Sequence, residues 1–164
     1  MNRTGHWSSV ILGALCLLGS ATLPAAAEPH AEGVPLRNVA TGHCLNQVGD
    51  TDVELAPCDP GSDDKQWQVV NTPNGNEQIK NVGDGSCLGH AGQEDLKLYS
   101  CDANAAGQQW KLPNAGQGNQ IQSVANGECV SHIQGTEVGL QACADDPTQQ
   151  WTQDAPQSDD EMDE

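Results

Sequence analysis

The stretch Ile79-Lys80-Asn81-Val82-Gly83-Asp84-Gly85-Ser86-Cys87-Leu88 returns almost position for position as Leu36-Arg37-Asn38-Val39-Ala40-Thr41-Gly42-His43-Cys44-Leu45, and again from Ile121 to Val130. An aliphatic residue stands eight before each cysteine (Leu36, Ile79, Ile121), a valine five before (Val39, Val82, Val124) and a glycine two before (Gly42, Gly85, Gly127). Each opening is followed by an alternating pair, Val53-x-Leu55, Leu96-x-Leu98 or Val138-x-Leu140, then by a second cysteine, and each unit closes on a tryptophan: Trp67, Trp110, Trp151. Self-similarity at a fixed period of this length marks a repeat architecture.

Apolar residues two apart describe strands with one buried face. The glycines mark hairpin turns that need a tight bend or a positive φ. No stretch after Glu28 carries a period of 3.6, so the chain reads as all-β, with about four short strands per repeat. A unit of about 42 residues cannot bury its own apolar face. Three units closed on a pseudo-threefold axis would pool nine or more aliphatics and three tryptophans in one core. An open solenoid would need capping repeats, and the sequence shows none.

The cysteines of the repeats are Cys44 and Cys58, Cys87 and Cys101, Cys129 and Cys143, each pair 14 positions apart. Six cysteines allow 15 connectivities. The constant spacing favours pairing within each repeat. The alternative is metal ligation, with His43, His90 and His132 near a cysteine, but the spacing fits zinc poorly. An even number in a secreted chain points to disulfides, and no metal is expected.

The chain has 164 residues, one domain's worth. Arg3, the apolar run Val10 to Gly19 and Ala25-Ala26-Ala27 form a signal-peptide pattern too short to span a bilayer. The expected organisation is a signal peptide at 1–27, an N-terminal segment at 28–33, the repeat domain at 34–153 (repeats 34–76, 77–118 and 119–153) and an acidic disordered tail at 154–164. Without residues 1–27, five basic residues face 23 acidic ones, a net charge of −18. Such a surface repels nucleic acid and anionic membranes. A secreted monomer without stable membrane insertion is expected.

Gln108-Gln109-Trp110 and Gln149-Gln150-Trp151 resemble the Q-x-W signature of the ricin B-type lectin family; Lys65-Gln66-Trp67 carries lysine in place of the motif glutamine. The openings at residues 36–45 and 79–88 resemble the family's N-x-x-T/S-G-x-C-L pattern, and the likeness covers about residues 34–153. It implies a β-trefoil with up to three shallow sugar sites. In the family, an aspartate two after the first cysteine accepts bonds from sugar hydroxyls, an aromatic two before the second cysteine stacks on the sugar, and an asparagine before the motif glutamine holds a further hydroxyl. Those positions hold Asn46, Gly89 and Ser131; Ala56, Tyr99 and Gln141; and Asp64, Gly107 and Thr148. No repeat keeps all three.

The carbohydrate-binding candidates are therefore Tyr99 as stacking ring, His90 and Asn104 facing the same hollow, Asn46 and Asp64 in the first repeat, and Ser131 and His132 in the third. Gln108 and Gln149 read chiefly as braces of the site and its turn. The tryptophans read as core, and Asp50-x-Asp52-x-Glu54 as a solvated turn. No nucleophile motif, zinc helix or phosphate loop is present, and no cofactor is expected. The reading is a non-catalytic carbohydrate-binding module; the alternative is a trefoil that has lost sugar binding and meets a secreted protein as scaffold or inhibitor.

Overall fold

The computed structural model describes residues 33–92 and 95–153. The expected signal peptide, the acidic tail and all but Gly33 of the N-terminal segment lie outside these residues. The described chain holds fourteen strands: β1 (Leu36–Asn38), β2 (Cys44–Val48), β3 (Asp52–Ala56), β4 (Trp67–Asn71), β5 (Glu77–Asn81), β6 (Cys87–His90), β7 (Leu96–Tyr99), β8 (Trp110–Lys111), β9 (Asn114–Ala115), β10 (Gly118–Asn119), β11 (Gln122–Ser123), β12 (Cys129–Gln134), β13 (Glu137–Gln141) and β14 (Trp151–Gln153). A 3-10 turn precedes the closing tryptophan of each repeat, at Asp63–Lys65, Ala106–Gln108 and Pro147–Gln149.

The architecture is a β-trefoil. Each repeat contributes one long hairpin: β2 with β3, β6 with β7, and β12 with β13. The ring closes where β1 pairs antiparallel with β14, Leu36 opposite Gln153. The turns expected before each cysteine are present: Gly42, Gly85 and Gly127 have φ of 70°, 76° and 78°. Their N–H groups donate to the carbonyls of Asn38, Asn81 and Ser123. A β-carbon is disfavoured at such φ.

One core serves all three repeats. Leu36, Leu45, Leu55, Ile79, Leu88, Leu98, Ile121, Val130 and Leu140 surround Trp67, Trp110 and Trp151. Each tryptophan is buried, and its indole N–H donates to the carbonyl of the residue after the repeat's first cysteine: Trp67 to Leu45 at 2.9 Å, Trp110 to Leu88 at 3.0 Å, Trp151 to Val130 at 3.1 Å. A buried indole keeps its apolar area in the core only if that donor is satisfied. The recurring valines are half-buried; their backbone N–H groups instead tie each repeat to the one before, Val39 to Gln150, Val82 to Gln66 and Val124 to Gln109. The pairing within repeats is realised as disulfides 44–58, 87–101 and 129–143, with Cα atoms 4.9–5.0 Å apart.

Candidate functional site

Tyr99 ends β7 opposite Cys87, and Lys97 stands opposite Gly89. These residues share the outward face of the β6–β7 hairpin, because side chains alternate along a strand. Leu88, Leu98, His90 and Leu96 share the inward face. The half-buried Tyr99 ring therefore projects from the barrel as expected, and its hydroxyl makes no hydrogen bond to the described residues.

His90 does not face that hollow. It is 9% exposed, on the core side, with its ring centroid 6.0 Å from that of Trp110. Its Nδ1 lies 2.6 Å from the Gly92 carbonyl oxygen and its Nε2 2.7 Å from Ser123 Oγ. The carbonyl can only accept, so the network assigns the proton to Nδ1, and Nε2 accepts from the Ser123 hydroxyl. The equivalent position holds a turn brace in every repeat: Gln47 Nε2 donates to Gly49 O at 3.1 Å, and His132 Nε2 meets Gly135 O at 3.1 Å. His90 also joins two repeats. Asn38 and Asn81 reach the preceding repeat by donating to the Thr148 and Asp64 carbonyls. Ser123, at the third such position, is too short for that span, and His90 comes to meet it. The period of two that placed Leu88 inside places His90 inside as well; that signal was available in the sequence.

Gln108 and Gln149 are braces. Gln108 Oε1 accepts from the Asp102 N–H at 2.8 Å, and its Nε2 donates to Ser100 O at 3.1 Å. Gln149 repeats this with the Ala144 N–H and Ala142 O. Each thus pins the loop after the second cysteine. Lys65 cannot accept a bond, so the first repeat lacks this brace. Beside it, Gln66 Nε2 is buried with no hydrogen-bond partner among the described residues.

The remaining candidates separate. A β-carbon built on Gly89 would stand 2.8 Å from Gln108 Cγ and 3.1 Å from Tyr99 Cδ2. One on Gly107 would overlap the His90 carbonyl oxygen. The two glycines let the 3-10 turn settle onto β6, so the hollow on this side of Tyr99 is filled by backbone and by Gln108. Asn104 is exposed, its N–H bonded to Asp102 Oδ1 at 2.9 Å. In the third repeat, Ser131 is fully buried and donates to Gln141 Oε1 at 3.1 Å; the two positions for sugar contacts satisfy each other. In the first, Asn46 sits on β2 opposite Glu54. The Asp64 carboxylate lies against the Gly83 turn, 2.7 Å from where a β-carbon would be.

Among the described residues, two carboxyls are shifted. Asp84 is held below its ordinary 3.8: burial alone would raise it, but hydrogen bonds from the Ser86 hydroxyl and N–H and from Gln47 together outweigh this. Asp146 is lowered by the Thr148 hydroxyl and N–H, bonds that cap the 3-10 turn at Pro147–Gln149. A lowered folded-state value means that the ionised form stabilises folding above pH 3.8, and that this contribution disappears as pH falls through the folded values. The thermal midpoint of Asp146→Asn should therefore lie below that of the parent at pH 7, and the gap should close as pH falls below 3.8 through the folded-state value. A gap independent of pH would show that the charge contributes nothing.

Among solved structures, the designed threefold-symmetric protein ThreeFoil superposes with a TM-score of 0.65 at 20% identity, over 74% of this chain and 98% of its own. The Haemophilus ducreyi cytolethal distending toxin gives 0.66 at 19% identity, over 88% of this chain and 96% of the toxin chain. The hemolytic lectin CEL-III gives 0.64 at 24% identity, over 77% of this chain and 31% of its own. No curated protein sequence matches the chain. The family model for the ricin-type β-trefoil lectin domain matches residues 32–151, and with the threefold tryptophan, disulfide and hairpin pattern it establishes that the chain belongs to the ricin-type β-trefoil lectin domain family.

Proposed function

We propose that the protein is a secreted, non-catalytic carbohydrate-binding module, released from its first 27 residues as residues 28–164, with one working site built on Tyr99. The observation that carries this reading is the outward, half-exposed Tyr99 ring at the family's stacking position. The ring offers an apolar face to the C–H side of a pyranose. The corresponding positions hold Ala56 and Gln141, which offer no such face.

The test is a glycan and polysaccharide binding screen of the secreted protein, with Tyr99→Ala beside it. Binding by the parent should fall at least about tenfold in the variant, equivalent to about 1.4 kcal/mol, while its thermal midpoint stays close to the parent's. A folded, fully oxidised sample that binds no sugar would remove this reading. The net charge of −18 without residues 1–27 would then direct the search to a basic secreted protein, whose binding must weaken steeply with salt.

A further inference from the structure

We propose that the sugar lies on the other side of Tyr99 from the family's usual hollow, in the cleft between the first and second repeats. This rests on the carbohydrate reading above and gives it a location and a ligand class. Beside Gln108, Gly89 and Gly107 leave no space for a side chain, Gln108 is spent on the loop, and His90 faces the core. A cleft of about 480 Å³ also includes Tyr99 in its lining, with Asp50 and Thr51 from the tip of the first hairpin, Asp84, Gly85 and Ser86 from the opening turn of the second repeat, and Ser100. Its volume falls within the about 300–1,000 Å³ usual for small-molecule sites.

The walls are fixed relative to each other. Leu98 N–H donates to Thr51 O at 2.7 Å, and Lys97 Nζ meets Asp52 Oδ1 at 2.9 Å, so the strand carrying Tyr99 is tied to the hairpin tip of the preceding repeat. The Asp84 carboxylate is oriented by the Ser86 N–H at 2.8 Å, by the Ser86 hydroxyl and by Gln47 Nε2 at 2.8 Å. A ring and a carboxylate held in place before the ligand arrives reduce the ordering cost of binding. The Asp50 carboxylate is exposed and makes no hydrogen bond to the described residues.

This lining selects a ligand class. An ionised carboxylate only accepts, so Asp50 and Asp84 require O–H donors. Of the nearby cations, Lys97 is paired with Asp52, and the charged end of Lys80 lies beside Gly85 at the cleft, its Nζ 3.8 Å from where a β-carbon on Gly85 would be. With two carboxylates against one ammonium, the cleft fits a neutral pyranose that stacks its C–H face on Tyr99 and donates hydroxyls to the carboxylates better than a uronic-acid or sulfated sugar. A similar cleft of about 470 Å³ lies between the second and third repeats, lined by Asp95, Ile133, Glu137 and Gln141. There Gln141 stands where Tyr99 does and is bonded to Ser131, so one sugar should bind per chain.

The experiment titrates the secreted protein with neutral β-linked glucose, galactose and N-acetylglucosamine oligosaccharides and with oligogalacturonate, following backbone amide shifts. The expected result is saturable binding of a neutral oligosaccharide at one site, with shifts at Thr51, Ser86 and Ser100, and weaker binding of oligogalacturonate. Asp50→Asn, which breaks no hydrogen bond of the fold, should weaken binding about five- to tenfold. Asn104→Ala, on the Gln108 side, should leave it unchanged. Binding abolished by Tyr99→Ala and weakened by Asn104→Ala, with Asp50→Asn neutral and shifts centred on Gly89 and Gln108, would overturn the cleft and leave the lectin reading standing. No binding of any sugar would overturn both.

Discussion

Trp110→Ala should lower the folding stability by about 3–5 kcal/mol, the range for emptying a buried aromatic site. Trp110 is fully buried, packs against His90 and donates its indole N–H to Leu88 O at 3.0 Å. The substitution removes the ring, leaves a cavity in the shared core, and strips the Leu88 carbonyl of its partner. Trp110→Phe separates these effects: it keeps most of the volume and loses only the donor, so it should cost about 1–3 kcal/mol. The same pair of substitutions at Trp67 and Trp151 should give similar losses, because their indoles bond Leu45 and Val130 in the same way. One core spans all three repeats, so each variant should unfold in a single transition. Urea unfolding followed by far-ultraviolet circular dichroism measures this. A loss below about 1 kcal/mol for Trp110→Ala would mean that the tryptophan is not part of the shared core.

Reduction of the three disulfides should unfold the protein at room temperature. Each bridge closes a loop of sequence separation 14, worth about 3 kcal/mol in the chain-entropy model. Three such contributions approach the whole stability of a typical domain, about 5–15 kcal/mol. Replacing one pair by serine, Cys87→Ser with Cys101→Ser, should lower the thermal midpoint by about 12 °C, at about 4 °C per kcal/mol for a domain of this size. Removing the pairs one at a time also tests the threefold symmetry, since equal loops predict equal losses. A reduced sample that melts within a few degrees of the oxidised one would refute the prediction and assign the stability to the core alone.

The residues that made the fold legible all belong to the repeat. Leu36, Ile79 and Ile121, the paired cysteines and the closing tryptophans recur at constant spacing, and a repeat too small to bury its own apolar face must share one with its copies. The candidate site was legible only in part. Period-two alternation put Tyr99 outside, and the same rule applied three residues past Cys87 turns His90 inward, to Trp110 and Ser123. The braces at Gln47, His90 and His132 went unread because they differ in residue type and share only a position and a turn carbonyl.

The sequence by itself determined the number of repeats, their strands, turns, disulfides and core, because each of these is set by residues within one repeat or by their recurrence. Tertiary structure alone decided what surrounds Tyr99. It brought Asp50, Thr51 and Asp84 into one cleft with Tyr99 and set Gly89 against the ring and Gln108. The reason is physical: the cleft lies at the junction of two repeats, and no spacing along the chain specifies the rotation between them. That rotation is fixed by the ring closure, by pairings such as β1 with β14 and by bonds such as Leu98 to Thr51.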